Sequence, residues 1–211
     1  LTNAAVILEN IILKYPTRKK YWIQLAGIYQ RLEKDKKALA IYELAYAKDY
    51  LKKKQIIQLC KNYLYFEMPY KAAIVLEKEM ATGRIENSLE TLNMLVDAWI
   101  LAQENEKAQS VFNEIINSYN DEKSRLRLGQ LHIENEDWNK AVDVLNVELE
   151  TEDLTLISKI NLLLGIALFN SENIAEARES FNQALSDKTT QEQAKWWLDH
   201  IKRKSEVAKN S

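Results

Sequence analysis

Glycine and proline are scarce in this chain: four and two among 211 residues. So few turn-punctuating residues argue against a β-rich or loop-rich fold. Ala, Leu, Glu, Lys and Gln, all good helix formers, dominate instead. The single cysteine, Cys60, excludes an intramolecular disulfide. No run approaches the roughly 18 consecutive apolar residues of a membrane-spanning helix, and no signal-peptide pattern is present. Neither sign of charge dominates, because 29 Lys and Arg face 31 Asp and Glu. That balance gives no global attraction to nucleic acid or to an anionic membrane. Leu1 stands where a methionine would open a gene product, so a fragment of a longer or processed protein is expected.

Signatures of chemistry are equally thin. The two histidines, His132 and His200, have no Cys, His or Asp partner at a metal-ligand spacing. Gly27, Gly83, Gly129 and Gly165 are dispersed, so no phosphate-cradling loop exists. No Ser, Cys or Lys sits in a recognisable nucleophile motif. Cys60 falls in a small, core-directed slot and reads as an inert buried thiol. No catalytic residue, metal or cofactor is therefore predicted.

What the chain does have is a repeat. A small alanine recurs at Ala4, Ala38, Ala72, Ala108, Ala141 and Ala177, in steps of 34, 34, 36, 33 and 36. Four residues after each comes a large side chain: Leu8, Tyr42, Leu76, Phe112, Leu145 and Phe181. Twelve residues before each of the last five sits a small or modest residue preceded by leucine. These pairs are Leu25–Ala26, Leu59–Cys60, Leu95–Val96, Leu128–Gly129 and Leu164–Gly165. A bulky group follows three residues on, at Tyr29, Tyr63, Trp99, His132 and Leu168. Apolar steps of three and four on both sides of a short polar turn read as helical hairpins.

A period near 34 residues with this pattern resembles the tetratricopeptide repeat (TPR). The resemblance implies an all-α, right-handed TPR superhelix, an α-solenoid of antiparallel helix pairs with a C-terminal capping helix. The expected organisation is a lone second helix in 1–18, five hairpins over 19–188, a capping helix over 189–206 and a frayed tail at 207–211. One continuous core strip is expected to run through it. Glu79 and Glu148 depart from the family pattern by standing where a third small residue is usual, which puts the local packing in question.

In solenoids of the resembled family the first helices line a concave groove that holds a peptide or a partner helix. Helical spacing puts Ile57, Lys61, Leu64 and Tyr65 on that side of one copy, and Asp97, Ile100 and Leu101 on the next. Leu126 and Ile133 follow, then Leu162, Ile166 and Phe169. This inner face is strongly apolar, and two readings compete for it: residues packed on one another, or a groove for an apolar or amphipathic partner. Trp22, Trp99 and Trp197 lie on core-directed stripes, whereas Trp196 points away from one.

Several strings carry a narrower resemblance: YWIQLAGIYQ (21–30), LYFEMPYKAAIVLEKEM (64–80), EDWNKAVDVL (136–145), LLLGIALFN (162–170) and AKWWLDHIK (194–202). They are similar to the TPR protein encoded beside TonB, ExbB and ExbD in energy-transduction systems. That resemblance implies a periplasmic, non-catalytic scaffold with protein or peptide partners, TonB, ExbB or ExbD components among them. A generic TPR adaptor of the cytoplasm or of envelope assembly, and a ligand-binding regulatory subunit, stand as alternatives.

Overall fold

A computed structural model describes residues 1–209 of the chain, with side chains through Glu206. Among these residues twelve α-helices and one 3-10 turn account for the regular structure, and there is no strand. In chain order they are α1 (Thr2–Lys14), α2 (Lys19–Arg31), α3 (Asp35–Ala47), α4 (Lys53–Tyr65), α5 (Pro69–Ala81) and α6 (Leu89–Leu101). Next come α7 (Asn105–Tyr119), α8 (Glu122–Glu134), α9 (Trp138–Leu145), α10 (Leu154–Asn170) and α11 (Ile174–Gln183). The 3-10 turn Ala184–Ser186 leads into α12 (Lys188–Lys209). The tail expected at 207–211 meets the end of α12, and residues 210 and 211 fall outside the described residues.

The helices gather into two compact units, Leu1–Ala108 and Gln109–Ser211. The division falls inside α7, where no linker composition marks it.

Turns inside the hairpins explain how so little glycine suffices. Glu33, Glu67 and Gln103 in the first unit, with Glu136 and Glu172 in the second, all adopt left-handed φ between 56° and 65°. Each is the first residue beyond a helix cap. After α2, Lys34 N–H donates to the Tyr29 carbonyl at 2.9 Å and Glu33 N–H to that of Gln30 at 3.0 Å. This is a Schellman closure, with glutamate in the place glycine usually takes. Holding a non-glycine residue there costs roughly 1 kcal/mol, a cost the hairpin packing offsets.

In the first unit the periodic residues form the core. Trp22, Leu25, Ala26 and Tyr29 of α2 are buried, as are Ala38, Tyr42 and Ala45 of α3 and Ile56, Leu59, Cys60 and Tyr63 of α4. Helix α1 departs from the expected register. Ala5 and Ile12 are its buried residues, while Ala4 and Leu8 are only half-buried. No first helix precedes α1 among the described residues, so it buries only the stripe turned toward α2.

A regular latch runs through this unit. Tyr29 donates its hydroxyl to Glu9, Tyr63 donates to Glu43 at 3.0 Å, and Trp99 Nε1 donates to Glu77 at 3.2 Å. Lys37, Lys71 and Lys107 cap the same rings at 5.4, 5.5 and 4.2 Å from the centroids. Each latch ties a second helix to the first helix of the next hairpin and lets a nearly buried phenol or indole keep its hydrogen bond.

Glu79 finds a related solution. It is 1% exposed, accepts the Tyr46 hydroxyl at 2.7 Å, and lies 2.9 Å from Arg84 Nε. The guanidinium N–H is not aligned on that oxygen, so the second contact is an ion pair rather than a directed hydrogen bond. Arg84 also reaches Asp49 at 2.8 Å.

In the second unit Leu145, Ile160, Leu164, Leu168 and Phe181 centre a core that α12 closes with Ala194 and Ile201. Trp197 stacks on Phe181 at 5.5 Å, whereas Trp196 is 53% exposed. Gly129 and Gly165 work differently from a simple backbone contact. A Cβ on Gly165 would lie 2.6 Å from Phe181 Cε1, and one on Gly129 would lie 2.4 Å from Leu145 Cδ2. The glycine of each first helix admits the large side chain that follows the repeat alanine.

Candidate partner-binding face

In the first unit α4 presents its open side through Lys54, Ile57, Gln58, Lys61, Asn62 and Tyr65. Two adjoining clefts of about 370 Å³ each lie along it. One is bounded by Gln30 of α2, by Asp35 and Ala38 of α3, and by Gln58, Lys61, Asn62, Tyr65 and Phe66. The other is bounded by Lys53, Lys54, Ile57, Gln58 and Lys61. A third, about 530 Å³, is lined by Leu8 of α1 with Ile23, Gln24, Gly27, Ile28 and Arg31 of α2.

Helical spacing explains this grouping. Gln58 and Asn62 are four residues apart and lie on one stripe, where Gln58 Nε2 donates to Asn62 Oδ1 at 3.0 Å. That bond orients both amides and leaves the Gln58 carbonyl oxygen and the Asn62 amide hydrogens available. Tyr65 is 73% exposed, and its ring meets Phe66 edge-on at 5.1 Å. Lys61 is exposed, and Lys53 is already paired with Glu86 at 2.9 Å. On the opposite, core side of α4, burial and then the Glu79 carboxylate push the Cys60 thiol up to about 12. That thiol stays protonated and takes no part in the face.

Of the residues expected on the inner face, Ile57 and Leu64 are half-buried, and Lys61 and Tyr65 are exposed along α4. On α6, Asp97 and Leu101 are exposed and Ile100 is half-buried. The second unit arranges its share of these residues differently from α4. Leu162 is core, at 6% exposure, and Leu126, Ile133, Ile166 and Phe169 are partly buried and packed against the same cluster. Helix α10 touches α8, α9, α11 and α12, so its surroundings consume the apolar stripe. Phe169 is further covered by Trp197 and His200, with ring centroids 5.1 and 5.5 Å away.

The open face is therefore shorter and more polar than a groove lined by all of these residues would be. Gln58 and Asn62 were not among the expected residues. Their signal is an amide pair at i and i+4 on the stripe beside the one that carries Ile57 and Lys61. Among the described residues no cluster of His, Cys, Asp and Glu is placed to hold a metal ion, and no helix is long and apolar enough to cross a membrane.

No protein-family model matches the sequence. No curated protein matches it by sequence either. Solved structures do match. YrrB, described as a TPR protein with an unusual peptide-binding site, is 18% identical with a TM-score of 0.61, covering 89% of this chain and 97% of its own. A crystal structure of MamA is 17% identical with a TM-score of 0.60, covering 79% of this chain and 90% of its own. A second MamA structure is 15% identical with a TM-score of 0.59. At these identities the likeness establishes the fold: an all-helical chain of paired repeats of the TPR kind.

Proposed function

We propose that this protein is a scaffold whose first unit binds an extended segment of a protein partner along α4. The observation that carries this reading is the open stripe Gln58–Lys61–Asn62–Tyr65, facing Gln30 across a cleft of about 370 Å³. Primary amides offer a donor and an acceptor to a peptide backbone, which also carries one of each per residue. Lys61 supplies a cation for a carboxylate, and the Tyr65 ring supplies apolar area at little entropic cost. The peptide-binding site ascribed to YrrB supports a peptide as the class of ligand for this fold.

Random dodecapeptides displayed on phage and panned against the full chain test the proposal. Selected peptides should bind the native chain and lose about tenfold in affinity to a Gln58→Ala/Asn62→Ala variant, equivalent to about 1.4 kcal/mol. Circular dichroism should be unchanged. Selection of no binders, or equal binding by the variant, would overturn the reading.

The narrower role, a periplasmic accessory of a TonB-type system, is supported by the string resemblance alone; the generic adaptor is equally compatible with the fold. Cross-linking of the full chain in envelope fractions that contain TonB, ExbB and ExbD separates the two, since adducts with those proteins are expected only for the narrower role.

A further inference from the structure

Helix α9 stops at Leu145 after 8 residues, whereas α3 and α5 each run for 13. Where further turns of that helix would lie, residues 146–153 leave the helical path. They carry Glu148, Glu150, Glu152 and Asp153 and no lysine or arginine. A cleft of about 420 Å³ opens beside this segment, α10 and α11. Its floor is apolar, made of Leu145, Ile160, Leu164 and Leu168. Asn161, 8% exposed, forms part of the wall. Its Nδ2 donates to the Ile157 carbonyl at 3.1 Å, so the amide oxygen is the group left over.

Glu148, Glu176 and Glu179 also line the cleft, and no basic residue does. Among the described residues none of the three makes an ion pair. They do not form a metal-binding cluster. An apolar floor beneath a rim of acceptors calls for an aliphatic stem that ends in several donors. Arginine meets that description: its methylenes cover apolar surface while its guanidinium presents five N–H donors to carboxylates.

We propose that this notch in the second unit is a docking site for an arginine side chain on a basic, amphipathic segment of a protein partner. The site is independent of the face on α4. Its acidic rim selects for positive charge, and the missing turns of α9 supply the room.

Three fluorescent dodecapeptides of leucine, alanine and one further residue test this: arginine, the isosteric but neutral citrulline, or glutamate. Fluorescence anisotropy with the full chain should show binding of the arginine peptide, and binding about tenfold or more weaker for the citrulline peptide. The glutamate peptide should not bind. A Glu176→Gln/Glu179→Gln variant, altered only at exposed positions, should lose a similar factor. A Lys61→Glu/Asn62→Leu variant in the first unit should bind the arginine peptide as the native chain does. Equal affinity for arginine and citrulline peptides, an unaffected Glu-to-Gln variant, no binding of the arginine peptide, or its loss in the first-unit variant would each overturn the proposal.

Discussion

Two glycines in the middle of helices make a controlled comparison. Replacing either by alanine removes the same backbone entropy from the unfolded chain and gains about 1 kcal/mol of helix propensity. They differ in what the new methyl meets. Around Gly27 there is nothing within 4 Å. At Gly165 the methyl would stand 2.6, 2.7 and 2.9 Å from three carbons of the Phe181 ring. That ring is fully buried and stacks on Trp197 at 5.5 Å with 5° between the planes, so it cannot retreat without disturbing α12. Overpacking of this kind costs about 1–3 kcal/mol. Gly27→Ala should therefore stabilise its unit by roughly 0.5–1 kcal/mol, and Gly165→Ala, net of the same gain, should destabilise its own by up to roughly 2 kcal/mol. Native-state hydrogen exchange at amides of α2 and α10 reads each unit separately, which a single global melt of a two-unit chain does not. Adding Phe181→Leu to Gly165→Ala should recover part of the loss and expose the coupling. Equal stabilisation by both alanines would refute the argument that Gly165 exists to admit Phe181.

Tyr63→Phe should cost about 1 kcal/mol in urea unfolding, because it removes the hydroxyl that donates to Glu43 from a residue 5% exposed. Tyr65→Phe, at an exposed position, is the control, and equal effects would undermine the latch. Burial, ahead of the opposing Asp137 carboxylate, holds His132 below the usual histidine range. The unfolded chain therefore takes up the proton first, and the second unit should lose stability as pH falls below about 6.5. His132→Leu, the residue found at the matching position Leu168, should flatten that dependence in melts across pH 5–8. Cys60 should resist maleimide at pH 8 until denaturant opens the first unit; rapid labelling of the native chain would contradict its burial and raised pKa.

The hairpin grid was legible because each of its positions is dictated by the core. Leu25, Leu59, Leu128 and Leu164, with the alanines that follow at fixed distance, are buried for the same reason in every copy. Features set by tertiary surroundings were not legible. Residues 146–150, Asn-Val-Glu-Leu-Glu, contain helix formers, and nothing in them announces that α9 ends at Leu145. The spacing that puts Leu162 and Leu126 on an inner stripe is correct as helix geometry. It does not reveal that α10 is enclosed by its neighbours, so that Leu162 is core. Conversely, Glu79 breaks the small-residue pattern, and only the fold supplies the Tyr46 hydroxyl and Arg84 that make its burial tolerable. An apolar pattern ranks amides as mere solvated surface, which hides Gln58 and Asn62.

The latch has a consequence for how the chain finds its register. Glu9, Glu43 and Glu77 are spaced by 34 residues, as are Tyr29 and Tyr63. Locally, Glu9 is as well matched to Tyr63 as to Tyr29. A chain that loops out one whole repeat, or trades one with a neighbouring molecule, thus loses little hydrogen-bond energy at the splice. Repeat proteins fail characteristically by such exchange. The later copies break this degeneracy: His132 and Leu168 occupy the donor's place, and the spacing shifts to 36, 33 and 36. Irregularity there acts as an address, telling the folding chain which copy is which.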